Sequence, residues 1–190
     1  MLLEGDFGNR VWAIREGLIK VVAVHRDGIE VVTALRGPGD LIGELAVLDD
    51  SPRSASAIAL VTVQVQVVSA AEFLEFLRSD PDAAMALSKN LAVRLRESDA
   101  LRLGQAAEDV TQRLARCLVD LARNYGTSSS GDAVVIDLPL TQTDLAAIVG
   151  SSRDAVAKAL QSWRERDLIR TSRRRIELVD IGTLERRHRL

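Results

Sequence analysis

Between Val11 and Val68 the chain alternates short apolar runs rich in β-branched residues, at 11–14, 18–24, 29–34 and 58–68, with clusters of turn formers. Glu16-Gly17, Arg26-Asp27-Gly28, Gly37-Pro38-Gly39-Asp40 and Ser51-Pro52 are the separators, and Val61 to Val67 alternates Val with Thr or Gln. Runs of this length with turn residues between them predict strands, and several short strands at close spacing predict a barrel or roll. The period then changes. Ser69-Ala70-Ala71-Glu72 has capping-box spacing ahead of Phe73, Leu74, Phe76 and Leu77, which predicts a helix. Asp80-Pro81 supplies an N-cap and a first-turn proline for a second helix, uninterrupted by proline until Pro139. This long helix is expected to give way near Asp109 to the helices of a second domain. Leu87, Leu91, Leu95, Leu101, Leu103, Val110, Leu114, Leu118 and Leu121 cover more than one face, so the helix should be buried from two sides, one of them the roll. Ala84, Ser88, Leu91, Leu95, Ser98, Arg102 and Gln105 alternate spacings of three and four, which suits a partner helix in a coiled-coil dimer; packing wholly within the chain is the alternative.

Beyond the Gly/Ser-rich stretch 126–131, read as a flexible loop, two short amphipathic helices are expected. Thr141-Gln142-Thr143-Asp144 and Ser151-Ser152-Arg153-Asp154 both have capping-box spacing, with Val149-Gly150 as the turn between them. Two capped helices around such a turn make a helix-turn-helix, with Leu145, Ile148, Val156 and Leu160 as its core. Leu168-Ile169 and Ile176-Glu177-Leu178-Val179 flank Arg173-Arg174-Arg175, the pattern of a wing hairpin with a basic tip. The expected fold class is α+β: an antiparallel β-roll of the double-stranded β-helix kind at 1–79, a long dimerisation helix at 80–109, and a winged helix-turn-helix at 110–190.

Composition bounds the function. A hydrophobic fraction of 47% with 27% charged residues is that of a globular protein. No run approaches the roughly 20 apolar residues that span a bilayer, and no secretory signal opens the chain, so a cytoplasmic location is expected and no membrane partner. Net charge is −2, but it is unevenly spread. The chain before Arg78 is acidic on balance, whereas Arg153, Lys158, Arg164, Arg166, Arg170, Arg173, Arg174 and Arg175 face only Asp154, Glu165 and Asp167, a local footprint for phosphates. One cysteine, Cys117, cannot form an intrachain disulfide and reads as a small buried hydrophobe. Iron–sulfur chemistry would need several cysteines, and His25 and His188 sit where surface histidines sit, so neither metal, haem nor cluster is expected. A hydrolase would need metal ligands or a general base, and no such cluster is present, so an enzyme is not expected.

The segment from Gly43 to Ala55 carries the most specific chemistry. A helical turn starting near Gly43 offers backbone N–H groups to an anion, Arg53 adds a planar cationic fork, and Ser54 a hydroxyl. Glu44 would repel a phosphate but can accept from a ribose hydroxyl, and a cyclic nucleotide has both groups. Gly43-Glu44-Leu45-Ala46 followed by Pro52-Arg53-Ser54-Ala55 resembles the phosphate-binding cassette of cyclic-nucleotide-binding domains, and the chain as a whole resembles the Crp/Fnr family of transcription regulators. The resemblance implies that Glu44 binds ribose and Arg53 phosphate, and it brings Ser98 and Asp99 to the positions that meet the purine, where the family has two hydroxyl residues. It also implies cyclic AMP as the favoured effector, with cyclic GMP next. Ligand independence, or a different small molecule with Arg53 merely pairing Glu44, is the alternative. Asp109-Val110-Thr111 and Ile148-Val149-Gly150-Ser151-Ser152-Arg153 extend the match, which begins inside the expected roll, where family members usually have a further helix and strand.

A recognition helix reads bases from its N-terminal turns in the major groove, which here hold Arg153, Asp154 and Lys158. The family's familiar members have Arg, Glu and Arg at those positions, so an altered half-site is expected. Thr141, Thr143, Ser152, Arg173 and Arg174 are the further expected DNA contacts. The resemblance further implies a homodimer on two-fold symmetric double-stranded DNA, with RNA polymerase as a further partner.

Overall fold

The computed structural model describes residues 2–129 and 133–188, with side chains of the last two of these left aside. The chain divides into two compact units, Met1–Ala100 and Leu101–Leu190.

In the first unit, β1 (Arg10–Glu16), β2 (Ile19–Val24), β3 (Glu30–Arg36), β4 (Leu41–Ile42), β5 (Ser56–Ala59) and β6 (Gln64–Ser69) form two three-stranded antiparallel sheets, ordered β4-β1-β6 and β3-β2-β5. Ile14 and Ile42 from one sheet meet Ile19 and Ala57 from the other, so the core lies between the two. The expected roll of antiparallel strands is present. The run at 58–68, read as one strand, is in fact two, β5 against β2 and β6 against β1. The chain changes sheets at 60–63, where Gly17, at φ +90°, brings its turn so close to Thr62 and Val63 that a Cβ would collide with them. The two-residue β4 was not foreseen.

Between β4 and β5 lies the short helix α1 (Glu44–Leu48), with Gly43 as its left-handed N-cap. The helix α2 (Ala70–Ser79) starts on the expected capping box: Ser69 Oγ accepts from the Glu72 N–H, and the Glu72 carboxylate accepts from the Ser69 N–H. The same exchange, with the Ser69 hydroxyl also donating to Glu72, holds that carboxyl below its usual range. The long helix α3 (Pro81–Ala107) is capped by Asp80, whose Oδ1 accepts from the Asp82 and Ala83 N–H groups. Its expected burial from two sides is not met within the chain. Leu87 packs on the Val11, Val47 and Phe73 cluster, but Gly104 is the one fully buried residue of the helix among the described residues, and Leu95 and Leu103 are 62% and 71% exposed.

The second unit is built on α4 (Val110–Tyr125), which buries Leu114, Ala115, Leu118, Val119, Leu121 and Ala122. Its N-cap is Asp109 in a reciprocal capping box with Gln112. The strands β7 (Gly126–Ser128), β8 (Val134–Ile136), β9 (Ile169–Ser172) and β10 (Arg175–Leu178) make an antiparallel sheet ordered β7-β8-β10-β9, and α5 (Gln142–Val149), α6 (Arg153–Glu165) and α7 (Ile181–His188) complete the unit. The stretch 126–131 is therefore not all loop: its first three residues are β7, and 130–131 lie outside the described residues. The capping box expected on Thr141 is present, with Asp144 reciprocating. That expected on Ser151 is not, because the N-cap is Ser152, accepting from the Ala155 N–H, which places Asp154 one position too early to reciprocate. Val149 closes α5 as a buried residue and Ile148 is only half-buried, while Gly150 takes the left-handed C-cap.

Candidate functional site

The N-terminal segment holds the loop that follows α1 in place. Gly5 N–H donates to the Arg53 carbonyl and Arg53 N–H to the Asp6 carbonyl, 2.9 Å each, and Phe7 bridges Pro52. This pairing turns the Arg53 side chain inward to 8% exposure. Its guanidinium lies against Gly43 and Gly8: a Cβ at Gly43 would run into Arg53 Nη1, and one at Gly8 would stand 3.2 Å from Arg53 Cζ. Both positions need to be bare for the cation to sit over the start of α1. Among the described residues the one hydrogen bond of this guanidinium runs from Nη2 to the Arg10 carbonyl, at 3.2 Å. Burial pulls its pKa down, against the partial support of Asp6 and Glu44. A buried cation whose fork is not closed by a carboxylate suits an anion.

Glu44, 3% exposed, is not the partner of Arg53. Its Oε1 accepts from Arg94 Nη1 at 2.5 Å, and Arg94 Nη2 donates to the Leu41 carbonyl at 3.2 Å and to Asp40 Oδ1 at 3.4 Å. Arg94, on α3, was missed from sequence, since nothing local marks a cation 50 residues away as the mate of a given acid. Arg36 stands near it, and burial, then Arg94, lowers its pKa. Of the other expected ligand residues, Leu45 and Ser54 are exposed, Ser98 is half-buried one turn along α3 from Arg94, and Asp99 is exposed. The structure thus gathers Gly43, Glu44 and Arg53 into one place and leaves Leu45, Ser54, Ser98 and Asp99 around it or on the helix.

In the second unit α6 buries Val156, Leu160 and Trp163 and leaves Arg153, Asp154 and Lys158 exposed. Thr141, Thr143 and Ser152 are exposed at the starts of the same two helices. The β9–β10 pairing, Arg175 opposite Ser172, leaves Arg173 and Arg174 as a two-residue tip, Arg174 at φ +60°. Among the described residues, the side chains of Arg153, Lys158, Arg173 and Arg174 have no hydrogen bond or ion pair, so their charges face solvent. Two of the basic run are already engaged: Arg164 donates to Thr171 Oγ1 at 3.1 Å, and Arg170 lies 3.9 Å from Glu177.

Family models match both parts. Residues 2–80 match the cyclic nucleotide-binding domain and 112–187 the Crp-like helix-turn-helix domain. A CRP-like cAMP-activated global transcriptional regulator of Mycobacterium tuberculosis is 32% identical over 186 residues, 98% of this chain and 83% of that protein. The chain belongs to the Crp/Fnr family of transcription regulators. A cyclic AMP receptor protein of Thermus thermophilus is 31% identical over 96% of this chain and 81% of that protein. The solved structure of a CRP-family transcriptional regulator from the same organism superposes with a TM-score of 0.83 at 26% identity, covering all of this chain and 93% of that one. This Crp/Fnr member is accordingly a DNA-binding regulator with a cyclic-nucleotide-binding domain, and not an enzyme. No helix among the described residues is long and apolar enough to cross a membrane.

Proposed function

We propose that the protein is a homodimeric, cytoplasmic transcription regulator whose roll binds a cyclic nucleotide and whose winged helix-turn-helix reads two-fold symmetric double-stranded DNA. The observation that carries the effector half is the buried, carboxylate-free fork of Arg53 over Gly43, beside the buried acid Glu44. In this reading Arg53 and the N–H groups after Gly43 take the phosphate, with the Ser54 hydroxyl beside them. Glu44 accepts from the ribose, Leu45 lines the entrance, and Ser98 and Asp99 meet the base. Cyclic AMP is the favoured effector, because the relatives from Mycobacterium tuberculosis and Thermus thermophilus carry it in their names, and cyclic GMP is the second.

In the reader, Arg153, Asp154 and Lys158 face base edges, and Thr141, Thr143, Ser152, Arg173 and Arg174 face phosphates. The roll is assigned to 1–79, the dimerising helix to 80–109 and the reader to 110–190, with RNA polymerase as the further partner. One observation favours a second reading, a regulator that is ligand-independent or senses another molecule: Glu44 is already satisfied by Arg94. Gel shift against a palindromic DNA library, with and without each cyclic nucleotide, separates the two. Effector-dependent retardation of a selected duplex is expected, whereas equal retardation without nucleotide supports the second reading.

A further inference from the structure

The chain leaves helical geometry at Glu108 and Asp109, between α3 and α4, and this short junction is gripped twice. Arg116 Nη1 donates to Glu108 Oε1 at 2.8 Å, its guanidinium so close to Gly104 that a Cβ there would collide with it. The other carboxylate oxygen of Glu108 is buried with no partner. One turn back along α4, Arg113 donates from Nη1 to the Glu108 carbonyl at 2.6 Å. The same guanidinium reaches the far side of the reader, where Nε donates to the Val149 carbonyl at 2.8 Å and Nη2 to the Gly150 carbonyl at 3.3 Å. Val149 ends α5, and Gly150, at φ +63°, is the C-cap that turns the chain toward α6. Carbonyls at a helix C-terminus have lost their intrahelical donors and carry partial negative charge, so a cation that caps them is favoured twice over.

We propose that Arg113 is the positioning residue of the DNA reader: its planar fork bridges the α3–α4 junction to the turn that launches the recognition helix, and so sets where Arg153, Asp154 and Lys158 point. The inference deepens the proposed DNA-binding function and rests on it. Arg113 does not itself touch DNA in this assignment, since each of its three nitrogens already donates to a carbonyl. Glu108 is the fixed end of the bridge, because its carboxylate is tied down by Arg116. A lysine at position 113 would keep the charge but, as a single ammonium, could not span carbonyls on both sides.

The test compares the full-length wild type with Arg113→Met and Arg113→Lys in three measurements. These are affinity for a selected duplex and for its scrambled counterpart, amide hydrogen exchange, and thermal melting. Both variants are expected to lose about tenfold or more on the selected duplex, as charge-assisted bonds to fixed carbonyls are lost, with little change on the scrambled one. Exchange should rise at 150–153 while the amides of Leu114, Leu118 and Val119 in the α4 core stay protected. That pattern separates positioning from a general loss of fold, which would raise exchange across α4 as well. If Arg113→Lys discriminates between the duplexes as the wild type does, or if exchange at 150–153 is unchanged in Arg113→Met, the bridge does not position the reader. A wild type that fails to retard either duplex would instead overturn the DNA-binding reading itself.

Discussion

A guanidinium taken out of water needs an anion to offset its lost hydration, and among the described residues that of Arg53 has only the Arg10 carbonyl as hydrogen-bond partner. Arg53→Ala should therefore cost about 2–5 kcal/mol in cyclic-nucleotide binding by titration calorimetry, the loss expected on truncating one partner of a buried charge pair. Unchanged affinity in a folded variant would reject the site. On the reader the relevant contrast is between side chains that discriminate bases and those that only neutralise phosphates. Arg153 begins the recognition helix with its charge unpaired, so Arg153→Ala should lose about 1–3 kcal/mol on the best duplex and almost nothing on random DNA. Arg174→Ala, at the wing tip, should weaken both duplexes alike and lower the salt dependence by roughly one counterion. Cys117, half-buried rather than fully buried as expected, gives a chemical check on the packing of α4. Burial first, and Asp120 second, push its thiol up to about 12 against the opposing pull of Arg116. At pH 8.5 the thiolate is then about a thousandfold scarcer than at the ordinary value, so alkylation of the native protein should be slow and should become fast in denaturant.

At the level of elements, the helix starts are where local sequence acts most directly. Three reciprocal capping boxes, on Ser69, Asp109 and Thr141, satisfy N–H groups that a bare helix end would leave to water. Asp109 matters most among them, because α4 carries the core of the second unit. Asp109→Ala should lower the stability of that unit by about 1 kcal/mol, read as a lower urea midpoint at unchanged slope. A drop well beyond that would mean the junction at Glu108 had been disturbed along with the cap.

For the whole molecule, the decisive feature is the uncovered length of α3. Leu95 and Leu103 stand largely in solvent in the single chain, on a 27-residue helix whose spacings of three and four suit a second helix. Light scattering on dilute protein should report a dimer. Leu91→Glu with Leu95→Glu should shift it to monomer and, since paired half-sites need paired readers, cost most of the affinity for a palindromic duplex. A monomeric wild type, equally stable with both substitutions, would reject the interface.

What local sequence determined here is whatever depends on neighbours along the chain. The β-branched runs, the caps at Ser69, Asp80 and Thr141, the basic hairpin tip and the Gly43 to Ala55 cassette were all legible, because strand propensity, capping and turn geometry act over a few residues. Local signals mislead where pairing or a neighbouring turn decides the outcome. The 58–68 run has no strong breaker, so only the pairing with β1 and β2 shows that it belongs to two sheets. Ser151 and Ser152 are both competent caps, and the left-handed Gly150 before them is what gives the role to the second. The β-branched Val134-Val135-Ile136, which forms β8, is likewise a local strand signal. The remainder is set by residues far apart in sequence: Arg94 on Glu44, and Arg113 on Glu108, Val149 and Gly150. A charge in a sequence declares what it can bind, but its partner is chosen by which elements the core brings together, and that choice is made only when the hydrophobic faces pack.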